Sequence, residues 1–288
     1  MELQYISKWG ASISLANNNL FVLTNVDGLT WADSDIASII IGGIDGDSVN
    51  NIQARPRGIV FDFLVKNGIN VEYAKRTILQ TIKLKQQCKL VWTQNNRTWT
   101  IEGVVERIEM PRFDNGVTMQ VAIHCGQPFW EDLDTIISEI NEAIPLHYFT
   151  DYADDMLYFI EDGMPFGEID MSRTRTIVNL GDVSVGMQIE VLAYKTVTNP
   201  IIYGEGGKFF GVGYGTKSLV MNEGDKLTIN TVAGEKSVEL NGVSVLDKVK
   251  PQSTWLQLDA GENEFSIDSS DEETDNMTFS LSYRQRYI

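Results

Sequence analysis

Apolar and polar residues alternate along most of this chain, and glycine, asparagine and proline break the alternation at short intervals. The clearest run occupies residues 224–267. Leu227 and Ile229 lead through Thr231 to a turn at Ala233-Gly234, and Val238 and Leu240 share a face. Asn241-Gly242 supplies a two-residue turn tolerant of positive φ, after which Val243 and Val245 resume the pattern. Beyond Pro251 the segment Trp255-Leu256-Gln257-Leu258 reads as a strand, and Phe265 and Ile267 stand two apart after a turn at 261–263. Period-two patterning of this kind predicts antiparallel sheet with one face buried and one wet. No side chain in the run reads as a catalyst.

The first 130 residues carry the same period with one interruption. Short strands to about residue 25 are separated by Gly10 and by Asn17-Asn18-Asn19, and Asp27-Gly28 makes a further turn. Residues 36–41 read as a buried strand. Residues 42–51 are too polar and glycine-rich for a core and predict a projecting hairpin or loop. A strand over 58–65 ends at Asn67-Gly68. Asn70 then reads as the N-cap of a helix over about 71–85, with Val71, Ala74, Ile78 and Ile82 on one stripe widened by Leu79, and Lys83 and Lys85 at its C-terminal end. Strands follow at 89–93, 98–108 and from Val117, where Val117, Met119, Val121, Ile123 and Cys125 face one way and His124 the other. Isoleucines 136, 140 and 144 predict a short amphipathic helix stopped by Pro145. Residues 147–169 are acidic and aromatic without a clear period, and a last strand alternates Met277, Phe279, Leu281 and Tyr283. The terminal residues 283–288, which reverse the overall charge locally, read as a contact edge or a frayed tail. The whole predicts a mainly β chain of three parts: 1–130, a linker with a packed acidic segment over 131–170, and 171–288.

Composition narrows function. At 288 residues the chain has room for two domains, and 43% hydrophobic residues suffice for packed cores. Forty acidic against 23 basic residues give a net charge of −17, which argues against a surface that grips nucleic acid or anionic lipid. Cys88 and Cys125, the two cysteines, lie in strand-like runs and read as buried free thiols. The opening MELQYISKWG has neither a basic nor an apolar segment of the signal-peptide kind, and no apolar stretch approaches the ~20 residues of a membrane helix. Folding in a reducing cytoplasm is expected.

Candidate chemistry does not assemble. The glycine-rich segment 204–215 lacks the Gly-Lys-Ser/Thr that opens a helix in a phosphate loop, and reads as a hairpin. Ser184 has Asp182 where a nucleophile elbow needs its first glycine, and His124 and His147 are the only histidines. Carboxylates cluster at Asp151, Asp154 and Asp155, at Glu161-Asp162 and over 268–275. Calcium is the functional reading there, but without an ordered ligand spacing a solvated acidic loop is preferred. Trp255 reads as core packing before it reads as a sugar platform. No enzyme, cofactor or metal site is expected.

The order and spacing of the turn residues resemble those of the phage distal tail proteins, the ring-forming hubs at the tip of long-tailed phage tails. The resemblance rests on Asn179-Leu180-Gly181-Asp182, Asn199-Pro200, Gly224-Asp225, Gly234 with Ser237-Val238, Asn241-Gly242, and the ending Ser253, Trp255, Leu258, Gly261 and Asn263. The first 130 residues are similar in element order and close on Gln127-Pro128-Phe129-Trp130, with Gln127 where the family usually has Asp. The resemblance implies an N-terminal β-sandwich with one helix and a C-terminal galectin-like or jelly-roll sandwich. It implies a homo-hexameric ring that joins the tail tube protein to a tail-tip hub or fibre protein, carries receptor-binding proteins, and lets DNA through its lumen. The expected setting is the virion tail tip, assembled in the host cytoplasm, with no membrane partner. Segment 42–51 becomes the element that reaches the neighbouring subunit, with Asp45, Gly46, Asp47 and Asn50 as its contact residues. The alternative is a carbohydrate-binding module that meets host-surface glycan through Trp255.

Overall fold

Strand alternation sets the fold in the computed structural model, which describes residues 2–30, 32–43, 45–110, 118–139, 143–145, 167–169, 174–269 and 276–288. The chain divides into two units, Met1–Asp134 with Arg286–Ile288, and Thr135–Gln285. The break therefore falls at 134/135, where the sequence suggested boundaries at 130 and 170, and the last three residues return to the first unit.

Unit 1 contains β1 (Glu2–Ser7), β2 (Ser12–Ser14), β3 (Phe21–Asp27), β4 (Ser34–Ile39), β5 (Ser48–Ala54), β6 (Arg57–Val65), α1 (Val71–Thr81), β7 (Gln87–Gln94), β8 (Arg97–Glu109), β9 (Thr118–Cys125) and β10 (Trp130–Asp132). An antiparallel sheet runs β2-β1-β7-β8-β9-β6-β3, with β10 beside β8 and the C-terminal strand Arg286–Tyr287 beside β10. Alternate residues such as Leu3, Tyr5, Phe61, Phe63, Leu90, Met119, Val121 and Ile123 build one core, closed by Ala74, Ile78 and Ile82. The predicted Val117 lies outside the described residues.

Asn70 caps α1 by accepting from the Tyr73 amide at 3.1 Å. The helix stops at Thr81, four residues before the expected end. Ile82 turns extended at φ −100° and ψ 111° and carries its side chain into the core, while Lys85 is left-handed at φ 61°. Burying Ile82 outweighs the small dipole benefit of placing lysines on the last turn. Leu79 is exposed and does not widen the buried stripe. At one end of the sheet Cys88, Gly103 and Cys125 stand in a row across β7, β8 and β9. A Cβ on Gly103 would come within 2.9 Å of the Cys125 sulfur, so glycine leaves room for the buried thiol.

Unit 2 faces two antiparallel sheets across one core. The first orders Ile136–Glu139, Met277–Tyr283, Gln188–Ala193, Lys226–Asn230, Ser237–Leu240 and Val243–Ser244. The second orders Thr174–Asn179, Gly261–Asp268, Ile201–Tyr203 and Phe209–Gly211. Ile189, Val191, Leu227, Ile229, Phe279 and Leu281 from one meet Ile177, Ile202, Phe210, Phe265 and Ile267 from the other. This is the sandwich the alternation called for.

The recurrent asparagines are its corner braces. Buried Asn179 donates to the Val183 and Leu258 carbonyls at 3.0 and 3.1 Å and accepts from the Gly181 amide at 2.9 Å. Asn263 donates to the Asp259 and Gly261 carbonyls and accepts from the Asp259 amide, all within 2.7–2.9 Å. Asn199, left-handed at φ 53°, accepts from the Leu219 amide at 2.9 Å and leaves no room for a Cβ on Gly213.

Three expectations fail here. Residues 136–139 form a strand on Met277–Tyr283 instead of a helix, and 143–145 pair with 167–169. β-Branched isoleucine suits the pleat, and pairing with a core strand overrides the helical spacing of three side chains. Residues 255–257 are irregular, with Leu258 bridging Val185. Val243, on an edge strand, is exposed, while Val245 is buried. Ile140, His147, residues 146–166 and the acidic residues at 270–275 lie outside the described residues.

Candidate assembly surface

The feature of unit 1 that its core does not use is the hairpin of β4 and β5. Every described residue from Ser34 to Ala54 is exposed. The segment read as a buried strand, 36–41, is thus an exposed strand and its extension. Opposed residues in an antiparallel pair share a face. Ile36 faces Ile52 and Ser38 faces Val49, with the register shifted between Ala37 and Ser38. Asn50 is the extra residue of that bulge, and it puts Val49 on the same face as Ile52. Ile36, Val49 and Ile52 therefore form one apolar stripe, each more than half exposed, and Ile39, Ile40 and Ile41 lead from it to the tip. The charges are acidic: Asp33, Asp35, Asp45 and Asp47 against Arg55, which pairs with Asp35 at 2.9 Å.

The sequence expectation placed the contact at Asp45, Gly46, Asp47 and Asn50. Asp45, Gly46 and Asp47 sit at the turn and Asn50 at the bulge, all exposed. Sequence reasoning missed the stripe. Its signal was available as Ile36 and Ile52 flanking the Gly42-Gly43 and Asp45-Gly46 turn region, but an apolar run of six residues reads as core until its partner strand is seen to be polar.

The root of the hairpin is held firmly. The Arg55 amide donates to the Asp33 carbonyl at 2.8 Å. The Leu29 carbonyl accepts from Arg57 Nη1 at 2.8 Å and from Trp130 Nε1 at 2.9 Å. Arg57 is almost fully buried, and burial lowers its guanidinium pKa. A rigid root carrying a free apolar blade is suited to docking.

An isolated two-stranded hairpin is marginal in water, and among the described residues this one is exposed along its whole length. By contrast, the polar candidates elsewhere do not converge on a site among the described residues. His124 is exposed on β9. The Ser184 hydroxyl lies 2.6 Å from Asp259 and 3.2 Å from Gln257, with no histidine in the arrangement. Segment 204–215 forms a β-hairpin between Ile201–Tyr203 and Phe209–Gly211. Trp255 is half-buried, its ring 4.9 Å from that of Phe210 and 5.2 Å from Lys236 Nζ. The described residues contain no cluster of three or more metal-ligating side chains, and no described helix is long and apolar enough to cross a membrane.

Residues 180–287 match the family of siphovirus-type tail components, C-terminal domain. Among solved structures the chain is similar to the SPP1 Dit (gp 19.1) protein, described as a paradigm of the hub adsorption apparatus in phages infecting Gram-positive bacteria. The TM-score is 0.68 at 12% identity, with 99% of each chain covered. Chains of the phage P2 baseplate in its activated conformation, solved with calcium and with strontium, align over 100% of this chain at 10% identity and a TM-score of 0.47. No curated protein matches the sequence. The SPP1 likeness carries the fold of both units, and the family match carries the C-terminal domain.

Proposed function

We propose that this chain, which carries the C-terminal domain of siphovirus-type tail components and folds along its length as Dit does, is a structural subunit of a phage tail tip. In this reading six copies close a ring that joins the tail tube to the tip hub or fibre. Unit 1 makes the ring, and unit 2 holds peripheral proteins such as receptor-binding proteins. The protein works as a joint and a conduit and performs no chemistry. It belongs to the virion and is assembled in the host cytoplasm. Its excess of carboxylates suits a lumen through which DNA slides without sticking.

The observation that carries the reading is the β4–β5 hairpin. A head-to-tail ring needs an element that leaves one subunit and docks on the next. Ile36, Val49 and Ile52 are more than half exposed, so covering them removes apolar surface worth roughly 1 kcal/mol each. Repeated around a closed ring, that gain accrues at every junction.

Light scattering and negative-stain imaging of the purified chain test the reading. Wild-type protein is expected as rings with a central hole. Because the Arg55 amide already meets the Asp33 carbonyl, residues 34–54 can be replaced by a two-residue turn without disturbing the root. That variant is expected as a folded monomer. Rings that persist without the hairpin would reject it as the ring contact.

A further inference from the structure

Inside unit 1 lies a cation that the described residues do not neutralise. Arg57, the first residue of β6, is only 3% exposed. Its Nη1 donates to the Leu29 carbonyl at 2.8 Å, and that carbonyl also accepts from Trp130 Nε1 at 2.9 Å. The other edge of the guanidinium differs. Nε and Nη2 are both buried, and neither meets an acceptor among the described residues. These two nitrogens carry parallel N–H bonds, the edge with which arginine grips an anion side-on.

Buried polar groups find partners, and an unpaired buried charge is among the costliest things a core can hold. Arg57 cannot escape by giving up its proton: burial lowers its pKa, but a guanidinium starts so high that it stays charged. The ionisable group that bears on it is Cys125, which stands opposite Arg57 in the β6–β9 register and is fully buried. Burial pushes that thiol up to about 11, so it faces Arg57 as neutral S–H and brings no negative charge. Among the described residues no ion pair includes Arg57. Leu29 and Trp130 are buried beside it, and the indole N–H is already spent on the Leu29 carbonyl. Water would satisfy the hydrogen bonds but leave the charge.

We infer that the Nε–Nη2 edge of Arg57 binds a small monovalent anion of the chloride class inside unit 1. One negative charge matches the one uncompensated positive charge. No second cation bears on Arg57 to hold a dianion such as phosphate, and its burial shuts out a carboxylate side chain offered by another protein. The site has a place in the architecture. Leu29 precedes β4 and Arg57 follows β5, so their hydrogen bond spans the two limbs of chain that carry the exposed hairpin. A bound anion neutralises that clasp and adds to the stability of the folded unit by linkage. Nothing in this depends on the assembly reading above.

Crystals of the full chain grown in bromide test the site without any variant. An anomalous bromide peak within hydrogen-bond reach of both Nε and Nη2 is expected. Thermal melts at constant ionic strength, with chloride replacing methanesulfonate, give the energetic side. The wild-type midpoint should climb by a few degrees for each tenfold rise in chloride once the site begins to fill. Arg57→Met keeps the apolar stem and removes the charge, and its midpoint should not respond to chloride. Ordered water at the guanidinium edge with no anomalous signal would overturn the inference. So would a wild-type midpoint indifferent to chloride, or an equal chloride response in Arg57→Met, which would put the ion elsewhere. Should Arg57→Met fail to fold, the bromide peak and the wild-type melts still decide.

Discussion

Ending the chain after Gln285 should weaken unit 1 by about 3 kcal/mol. Residues 286–288 are few, but three interactions converge on them. Arg286 reaches Glu131 with Nη2 at 2.6 Å and Nε at 2.8 Å, and the two side chains are only 18% and 26% exposed. Exposed pairs contribute about 0–1 kcal/mol, and stranding one partner of a buried pair costs about 3–5, so a mostly buried pair falls at roughly 1–2. The Tyr287 ring meets Trp99 edge-on at 6.3 Å, adding about 0.5–1.5 kcal/mol. The Tyr287 hydroxyl donates to Asp132 at 3.1 Å, worth about 1 kcal/mol. The strand pairing itself adds little net, because ordering the backbone offsets its hydrogen bonds. About 3 kcal/mol is a large part of the roughly 5–15 that a domain has.

Urea unfolding followed by tryptophan fluorescence measures it. Trp99 and Trp130 lie with ring centroids 5.1 and 5.5 Å from that of Trp92, so their emission follows the region beside the lost strand. With a slope of about 1–3 kcal/mol/M, the midpoint should fall by roughly 1–3 M. A double-mutant cycle on Arg286→Ala and Glu131→Gln should return a coupling of about 1 kcal/mol or more. A midpoint that moves by less than about 0.2 M, with coupling near zero, would refute the reasoning.

Other substitutions probe single packing arguments. Gly103→Ala should cost about 1–3 kcal/mol in a thermal melt, since its Cβ would lie 2.7 Å from Ile123 Cγ2 and 2.9 Å from the His124 carbonyl. Asn263→Ala strands three backbone groups at a turn and should cost about 2–4 kcal/mol; a loss under about 0.5 would deny its role as a brace. Burial pushes the Cys88 thiol up from 9.0 to about 12 and the Cys125 thiol up to about 11. A raised folded-state value means that this contribution is complete below pH 9 and lost as pH climbs through the folded values. Stability should therefore fall by about 1.4 kcal/mol per thiol per pH unit between pH 9 and 11. Neither thiol should react with a disulfide reagent in native protein at pH 8, and both should react in urea.

Much of the fold was legible because period-two alternation and turn asparagines act locally. Met277, Phe279, Leu281 and Tyr283 could occupy only one face of a strand, and they do. Asn179 and Asn263 stood out by their neighbours in the chain, and those neighbours are what they bond. What misled was decided at a distance. Ile136 and Ile140 have helical spacing, yet residues 136–139 pair with a strand some 140 positions away. Residues 36–41 have core composition, yet their strand partner is the polar segment 48–54, and no described residue of unit 1 buries either. An apolar strand left exposed and one buried in its own core carry the same local text. For the proposed assembly surface, sequence marked the turn through its glycines and aspartates but not the stripe, which exists only in the register that the bulge at Asn50 creates.

The chain passes between its two units twice, at 132–136 and at 283–286, and each passage runs within a few residues from a paired strand of one unit to a paired strand of the other. A single covalent thread is a swivel, about which whatever it carries can spin. Two threads are a yoke: torque applied to one unit reaches the other without winding up a linker, and tension divides between two anchors. In the tail-tip role proposed above, a yoke would deliver direction as well as pull.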